Sequence, residues 1–591
     1  MSTNSQADLE NLSKKRHSLA HLLASSILEM YPKTQLGIGP VIDNGFYYDL
    51  ITPEPIKPED LPKLQKTMQK LAKANLGFER AEMSFADARK FFEKGGQPFK
   101  VELINDLETA GEVSNVSLYK TGEFIDLCRG GHVENTSEID PESFKLDKIA
   151  GAYWRGDEHN PMMTRVYGLA FENAEELQAH LKMREEAEAR DHKKLGPELD
   201  LFVFSDLVGS GLPLWTPKGT LVRNLLDDFV WGLRKEFGYE KVEIPHITKK
   251  DLYEKSGHWD KFKDELFRIT TREGHEFAMK PMNCPHHTQI YDRKRWSYRD
   301  LPQRYCNTTM CYRDEQSGEL SGLSRVRAFA QDDAHVFTRM TDAKQELLNV
   351  WTVIESFYKA FGFDLKIRLS LRDPAKADSY LGEAAQWETA ESLLREIAKE
   401  KQAETYEGLG EAAFYGPKLD FMANDSLGRE WQVATAQLDF NQPERFDLFC
   451  INENGEQERI VMVHAAIMGS IERFMSILIE HTAGQFPVWL SPVQAIIVPV
   501  SDKQTEFAET VMKTLSDQVP GLRIEIDSRS ESMGKRIRES AKTKVPYILV
   551  VGDKEIESNS VAVRGRNDED LGTITLEDFA TKLNTEITNK S

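Results

Sequence analysis

Apolar residues recur every third or fourth position from Ser13 to Tyr31 (SKKRHSLAHLLASSILEMY), a spacing that predicts an amphipathic helix. A run rich in glycine and aromatic residues follows, LGIGPVIDNGFYYDL, and reads as short strands joined by turns. Residues 170–196 (AFENAEELQAHLKMREEAEARDHKKLG) read as one long charged helix without a sustained heptad, suited to connect an N-terminal unit to a larger central one. From about Leu199 to Phe486 helical and β-rich stretches mix. Beyond Pro492 the order is VQAIIVPV, a helix from about Lys503, LRIEID, a helix from about Met533, PYILVVGD, VAVRG and a last helix. Strands alternating with helices predict a small α/β domain with a mainly parallel sheet.

At 591 residues the chain is too long for one core, and three or four domains are expected. A hydrophobic fraction of 40% and a charged fraction of 29% are ordinary for a soluble globular protein. No apolar run approaches the roughly 20 residues that a membrane helix needs. The opening MSTNSQADLENLSKKR lacks the apolar centre of a signal peptide. Five cysteines in so long a chain make no disulfide framework, which points to a reducing cytoplasm. The formal net charge of −21 argues, taken alone, against a nucleic-acid partner. Phosphate contacts need only a local basic track, however, and RSESMGKRIRESAKTK, from Arg529 to Lys544, is a candidate for one. On charge alone, a solvated helix face is the commoner explanation of such a stretch.

The chemistry concentrates in Arg313-Asp314-Glu315-Gln316-Ser317-Gly318 and in the run Arg325 to His335, RVRAFAQDDAH. If that run is a strand, Arg325, Arg327, Phe329, Gln331, Asp333 and His335 share one face. Cations, an amide, a carboxylate and an imidazole make a poor core and a good floor for a site that takes phosphate, an amine and a metal. R-D-E-x-S-G followed by R-x-R-x-F-x-Q-D-D-A-H resembles motif 2 of the class II aminoacyl-tRNA synthetases in their threonyl form. FGYEKVEIP, at 237–245, is similar to motif 1, which builds the dimer interface in that family. HAAIMGSIERF, at 464–474, is similar to motif 3, a strand leading into a helix. The resemblance implies that Arg313 holds the α-phosphate of ATP and Glu315 contacts adenine. Gly469 would let the ring approach the backbone while Arg473 reaches the γ-phosphate. A planar guanidinium suits phosphate because it makes two parallel charge-assisted hydrogen bonds.

The family binds one Zn²⁺ per subunit through a cysteine and two histidines, and the matching positions are Cys284 (in KPMNCPHH), His335 and His464. Spacing would not reveal this set, since its members lie 51 and 129 residues apart. Three protein ligands leave zinc open to substrate. Threonine could then bind through amine and hydroxyl, valine only through its amine. Rejecting an isostere that lacks a required polar group can reach about 10⁴-fold, whereas one methyl is worth only about 10–200-fold. Valine is thus excluded and serine should pass. The resemblance further implies Gln331, Asp333 (on the substrate amine) and His258 (assisting the tRNA hydroxyl) as catalytic residues, together with Arg313 and Arg473. It implies Arg325, Phe329, Tyr415, Lys418, Gln432, Thr435, Gln437 and Ser470 as further threonine- or ATP-binding positions. His258 reads equally well as a packing histidine beside Trp259. Cys306 and Cys311 point to opposite faces of a strand, and C-x₄-C is not a usual zinc spacing. For them, and for His286 and His287, buried or supporting roles are expected.

His17 and His21 stand one helical turn apart, and Cys128 and His132 repeat that spacing in DLCRGGH. Such pairs would ordinarily read as zinc ligands, or as a satisfied core pair. The threonyl-type editing domain uses the same quartet as a hydrolytic site with no required metal, and the resemblance there extends to Tyr48, Lys100 and Asp126. It implies water attack on the ester of seryl-tRNA, the second stage of a double sieve. Arg538, Glu555 and Arg564 match anticodon-reading positions, while Ser530 and Ala465 depart from commoner forms of the family. An additional N-terminal β-rich domain, frequent in relatives, is expected to be lacking.

The expectation is an α+β multidomain protein. An editing domain with connector helix would span 1–190, a class II catalytic domain with an antiparallel sheet 191–488, and an α/β anticodon-binding domain 489–591. Such a protein would be a cytoplasmic homodimeric ligase that uses MgATP and zinc to join L-threonine to tRNA(Thr), and that edits seryl-tRNA(Thr). Rivals are a hydrolase working through residues 1–190 alone, a non-catalytic tRNA-binding regulator, and a synthetase for serine or proline.

Overall fold

The computed structural model describes residues 6–111, 113–426 and 428–590, which fall into two compact units, 1–185 and 186–591.

The first unit opens with the helix Gln6–Met30. Leu19, Leu22, Leu23 and Ile27 on one side of it are buried against Phe46, Tyr48 and Leu50 of the strand Gly45–Ile51 and against Leu64 and Met68 of the helix Leu61–Lys73. The sheet under this helix is antiparallel, in the order Gln35–Leu36, Gly45–Ile51, Met162–Ala170, Phe144–Tyr153. Gly45 is required where two of those strands meet: a Cβ there would lie 1.9 Å from the Gly168 carbonyl oxygen. A separate three-stranded sheet, Glu79–Met83, Val116–Thr121 and Phe124–Leu127, carries the cysteine loop at its last edge.

The long helix expected over 170–196 is two helices, Ala174–Arg190 and His192–Glu198. Asp191 breaks it: its carboxylate accepts the Lys193 N–H at 2.8 Å and caps a new start.

The second unit is built on an eight-stranded sheet. Its strands are β1 (Glu240–Lys241), β2 (Gln303–Tyr312), β3 (Ala328–Thr338), β4 (Leu365–Leu371), β5 (Thr405–Leu409), β6 (Lys418–Asn424), β7 (Glu430–Asp439) and β8 (Val461–Ser470). The order is β1-β2-β3-β8-β7-β6-β4-β5. The edge pairs β1–β2 and β4–β5 are parallel and the five inner pairings antiparallel. Motif 1 therefore contributes only a two-residue strand. One face of the sheet packs on the helices Pro217–Glu236, Ala343–Lys359 and Ile471–Thr482, through Val222, Leu226, Trp351, Ile354, Phe357 and Phe474 among others. The buried carboxylate of Asp332 is ion-paired there with Arg234 and accepts the N–H groups of Ile467 and Met468 at 2.9 and 3.0 Å.

Beyond Pro492 a five-stranded sheet runs Ile524–Ile526, Ala495–Pro499, Tyr547–Val551, Ser560–Arg564, Asp570–Thr575. Its first two pairings are parallel and its last two antiparallel, so the sheet is mixed rather than mainly parallel. The segment 552–559 is too short for a parallel crossover, which takes about a dozen residues, and Asn559 at φ +47° turns the chain straight back.

Candidate functional site

Strand register assembles what sequence spacing hides. His335 on β3 lies directly across from His464 on β8, and His464 directly across from Gln437 on β7. Cys284 opens the helix Cys284–Tyr291, and its sulfur and one nitrogen from each of His335 and His464 all lie within 4.8 Å of one another, buried. His464 Nε2 faces Asp439 Oδ2 at 2.9 Å, which leaves Nδ1 turned toward His335 Nε2 at 3.1 Å. The other nitrogen of His335 meets His287 Nδ1 at 2.8 Å, so His287 backs a candidate ligand. Gln442 donates to Cys284 Sγ at 3.3 Å, and Asp439 accepts the Gln442 N–H at 2.9 Å. One buried carboxylate thus steadies two of the three donors. A soft thiol with two imidazoles, each supported from behind, is the donor set that suits zinc. Burial pushes the Cys284 thiol up and the His335 imidazole well down, as expected for donors kept from water.

A cavity of about 80 Å³ opens on these donors. Arg313, Gln331, Asp333, Tyr415, Thr435 and Gln437 line it. Asp333 is fixed by Asn283 Nδ2 at 3.1 Å, and Asn283 Oδ1 in turn accepts Lys280 Nζ at 3.0 Å. Burial raises the Asp333 carboxyl to about 6. Tyr415 donates to Gln437 at 2.6 Å and stacks on the His464 ring. Gln432 and Lys418 stand back from the lining: both bind the buried carboxylate of Asp420, at 2.9 and 3.0 Å, which Thr435 also joins. His258 opens the short helix His258–Lys261, directly ahead of Trp259. It is wholly buried, holds Ser256 at 2.8 Å, stacks on Phe262 and turns Nε2 to Cys284 Sγ at 3.7 Å. Cys311, Met282 and Ala465 also line the cavity. Cys311 fits the supporting role expected of it, and Ala465 reads from sequence only as a departure; sequence reasoning missed Met282, Asp439, Gln442, Lys280 and Asn283, of which Lys280, Met282 and Asn283 lie in the KPMNC run that ends at Cys284. Cys306 goes to the hydrophobic core and Cys311 to the cavity, on opposite faces as their spacing predicts.

The strand expected from Arg325 begins only at Ala328. Arg325 is held in a turn by its bridge to Ser321, and the Arg327 N–H is taken by the Gly211 carbonyl at 2.8 Å. Of the expected face, Gln331, Asp333 and His335 do line one cavity, while Phe329 packs with Cys311 and Val326 under the Arg313 guanidinium. Glu315, 8% exposed, pairs with Arg325 at 2.7 Å. Gly469 has φ +66°, and Ser470 caps the next helix by accepting the Arg473 N–H at 3.2 Å. Desolvation, and after it repulsion from Arg325, pushes the Arg473 guanidinium down, so two cations face one space.

In the first unit His17, His21, Cys128 and His132 converge, each offering one atom within 4.8 Å of the others. Cys128 Sγ lies 3.4 Å from His17 Nε2 and 3.2 Å from His132 Nε2. Beside them Lys100 and Tyr48, both buried, bind the Asp126 carboxylate, and Lys100 also donates to Tyr48 OH at 3.0 Å. Burial pushes His132 down to about 2 and Cys128 up to about 11, so the quartet is uncharged at neutral pH. A cleft of about 940 Å³ is lined by Cys128 together with Arg80 and Arg129.

Near the C-terminus Arg538 and Arg564 are exposed and Glu555 half-buried. The basic stretch 529–544 is partly neutralised within itself: Arg529 pairs with Asp527 and Glu539, Lys535 with Glu531, and Arg536 is buried on backbone carbonyls.

Three family models match the chain: the class II tRNA synthetase core domain (G, H, P, S and T) over 267–482, an anticodon binding domain over 494–586, and the threonyl and alanyl tRNA synthetase second additional domain over 116–167. The threonine–tRNA ligase of Gloeobacter violaceus is 46% identical over 582 residues, covering 97% of this chain and 92% of its own. That of Clostridium tetani is 46% identical over 583 residues, covering 99% and 89%. Among solved structures, the RNA binding domain of threonyl-tRNA synthetase from Cryptosporidium parvum matches with a TM-score of 0.63 at 35% identity, over 67% of this chain and 98% of that one. A prolyl-tRNA synthetase from the same organism, at 16% identity, 68% and 75% coverage and a TM-score of 0.54, shares the fold.

Proposed function

The chain belongs to the threonine–tRNA ligases, class II synthetases with an editing domain and an anticodon-binding domain, and on that premise we propose how its residues divide the work. Cys284, His335 and His464 hold one Zn²⁺. When bound, that ion would act as a Lewis acid open to both the amine and the hydroxyl of threonine. Asp333, oriented by Asn283, takes an N–H of the substrate amine, and Tyr415, Gln437 and Thr435 close the pocket around the side chain. Arg313 and Arg473 clamp the phosphates of MgATP while Glu315 meets adenine. The threonine carboxylate then attacks the α-phosphorus, the bond to the bridging oxygen breaks, and pyrophosphate leaves. Clamping charge that develops on the phosphates supplies most of the acceleration. The terminal ribose hydroxyl of tRNA(Thr) next takes the threonyl group, with His258 beside it, and AMP departs.

In the first unit, His17, His21, Cys128 and His132 orient a water against the ester of seryl-tRNA. Lys100, Tyr48 and Asp126 set the polarity of that site, and Arg538, Glu555 and Arg564 read the anticodon. Domain limits near 190 and 488, a homodimer through motif 1 and a cytoplasmic location belong to the same proposal. Among the described residues no helix is long and apolar enough to cross a membrane.

The reading rests on one observation above the rest: a cysteine and two histidines from three distant segments meet in the lining of a cavity that Asp333 also lines. ATP–pyrophosphate exchange tests it. Threonine should support strong exchange, serine weaker and valine none; exchange with valine comparable to threonine would remove the metal from substrate selection.

A further inference from the structure

His192 has no part in the chemistry above. It begins the short helix after the connector, is 2% exposed, and touches the loop that joins Arg313 to Arg327. The Leu323 N–H donates to His192 Nε2 at 3.0 Å, so that nitrogen carries the lone pair and the proton sits on Nδ1. Nδ1–H donates to Glu480 Oε1 at 2.6 Å, and the His192 backbone N–H reaches the same oxygen at 3.2 Å. The loop lies close against the ring: Gly322 has φ +50°, and a Cβ on it would fall 2.3 Å from Nε2. A second tether joins Ser324 Oγ to Ser476 Oγ at 3.0 Å. Ser476 and Glu480 belong to the helix Ile471–Thr482, whose first turn carries Arg473.

Glu480 is a firm anchor. Burial opposes its charge, but hydrogen bonds from His192 and Arg429 hold the carboxyl down at about 2. Arg429 also binds Asp425, whose carboxylate accepts Trp431 Nε1–H at 2.9 Å, and the Arg473 guanidinium lies over that indole at 5.8 Å. One network thus runs from His192 to both sides of the phosphate space. The loop carries Glu315 and Arg325 and turns at Gly322, whose φ of +50° lies in the left-handed region, so a contact at Leu323 fixes its return limb just past that turn.

We propose that His192 is a positioning residue for ATP activation, fixing the return limb of this loop through Leu323 and tying it through Glu480 to the helix that carries Arg473. The proposal rests on the ATP roles assigned above to Glu315, Arg325 and Arg473. Asn and Gln separate it from simple packing. An Asn amide can replace Nδ1–H toward Glu480 but is too short to accept from Leu323, whereas a Gln oxygen can reach the place of Nε2.

Pyrophosphate exchange on the zinc-loaded full chain is the test, with KM measured separately for ATP and threonine. His192→Asn should raise the KM for ATP about tenfold, the effect of one unpaired backbone N–H on a binding loop, and leave the KM for threonine within about twofold. His192→Gln should recover to within about threefold of wild type. An unchanged ATP KM in His192→Asn, a parallel change in threonine KM, or a Gln variant no better than Asn would overturn the proposal. Should His192→Asn not fold, Ser324→Ala decides on the lesser tether: an ATP KM raised about threefold supports the proposal, and an unchanged one overturns it. Wild-type protein without exchange would instead overturn the ATP-site reading, and this inference with it.

Discussion

Asp439→Asn is the most telling substitution away from the three candidate zinc donors. Asp439 is wholly buried and serves three partners: His464 Nε2 at 2.9 Å and the N–H groups of Asn441 and Gln442 at 2.8 and 2.9 Å. Gln442 passes the restraint on to Cys284 Sγ. Asn keeps the shape but not the capacity, for it has one acceptor oxygen where three donors converge, and its NH₂ must face one of them. His464 then loses the partner that turns Nδ1 toward the proposed zinc site. Second-shell changes of this kind cost about 10–100-fold in metal affinity, or roughly 1.4–2.8 kcal/mol. Zinc competition against a chromophoric chelator measures the loss, and the KM for threonine should rise with it while the KM for ATP stays put. Zinc affinity within about twofold of wild type would refute the support assigned to Asp439.

Three further outcomes follow from buried groups. Lys100→Met should slow seryl-tRNA deacylation about 100-fold, the usual order for removing one donor that stabilises developing charge, with threonine exchange unaltered; equal loss of both activities would count against it. Asp332→Asn leaves Arg234 buried beside a neutral partner and should cost about 3–5 kcal/mol in chemical denaturation of the second unit, whereas a loss under about 1 kcal/mol would mean that the pair is solvated. His132, held down to about 2 by burial and then by His21 and His17, stays neutral when folded, while the unfolded chain takes up its proton near 6.5. Stability is therefore complete above about pH 6.5 and falls as the pH drops toward 2. Between pH 7.5 and 5 this amounts to about 2 kcal/mol, which His132→Asn should abolish in urea titrations of the full chain.

Much of this was legible before any coordinates. Helical periodicity marked Ser13–Tyr31 and the helix that starts at Met533, and the order of motifs pointed to an antiparallel class II core. What was not legible depends on register and on local competition. Nothing in the spacing of Cys284, His335 and His464 predicts that β3, β8 and β7 align His335, His464 and Gln437 in one row. Asp439, Gln442, Lys280 and Asn283 carry no pattern of their own and matter only once that row exists. Arg325 and Arg327 satisfy a strand alternation and still lie outside β3, because backbone bonds to Ser321 and Gly211 hold them in the loop. Asp191 cut the expected connector helix because a capping carboxylate outweighs helical charge patterning. In the basic stretch 529–544 acidic neighbours occupy Arg529 and Lys535, a pairing that a count of charges along the chain does not reveal.

Zinc K-edge absorption on the loaded protein, with and without threonine, addresses the central claim most directly. The account predicts one sulfur at about 2.3 Å and two imidazole nitrogens at about 2.0–2.1 Å, with nitrogen and oxygen from threonine entering the shell on addition of the amino acid. A second sulfur, or a first shell indifferent to threonine, would contradict it.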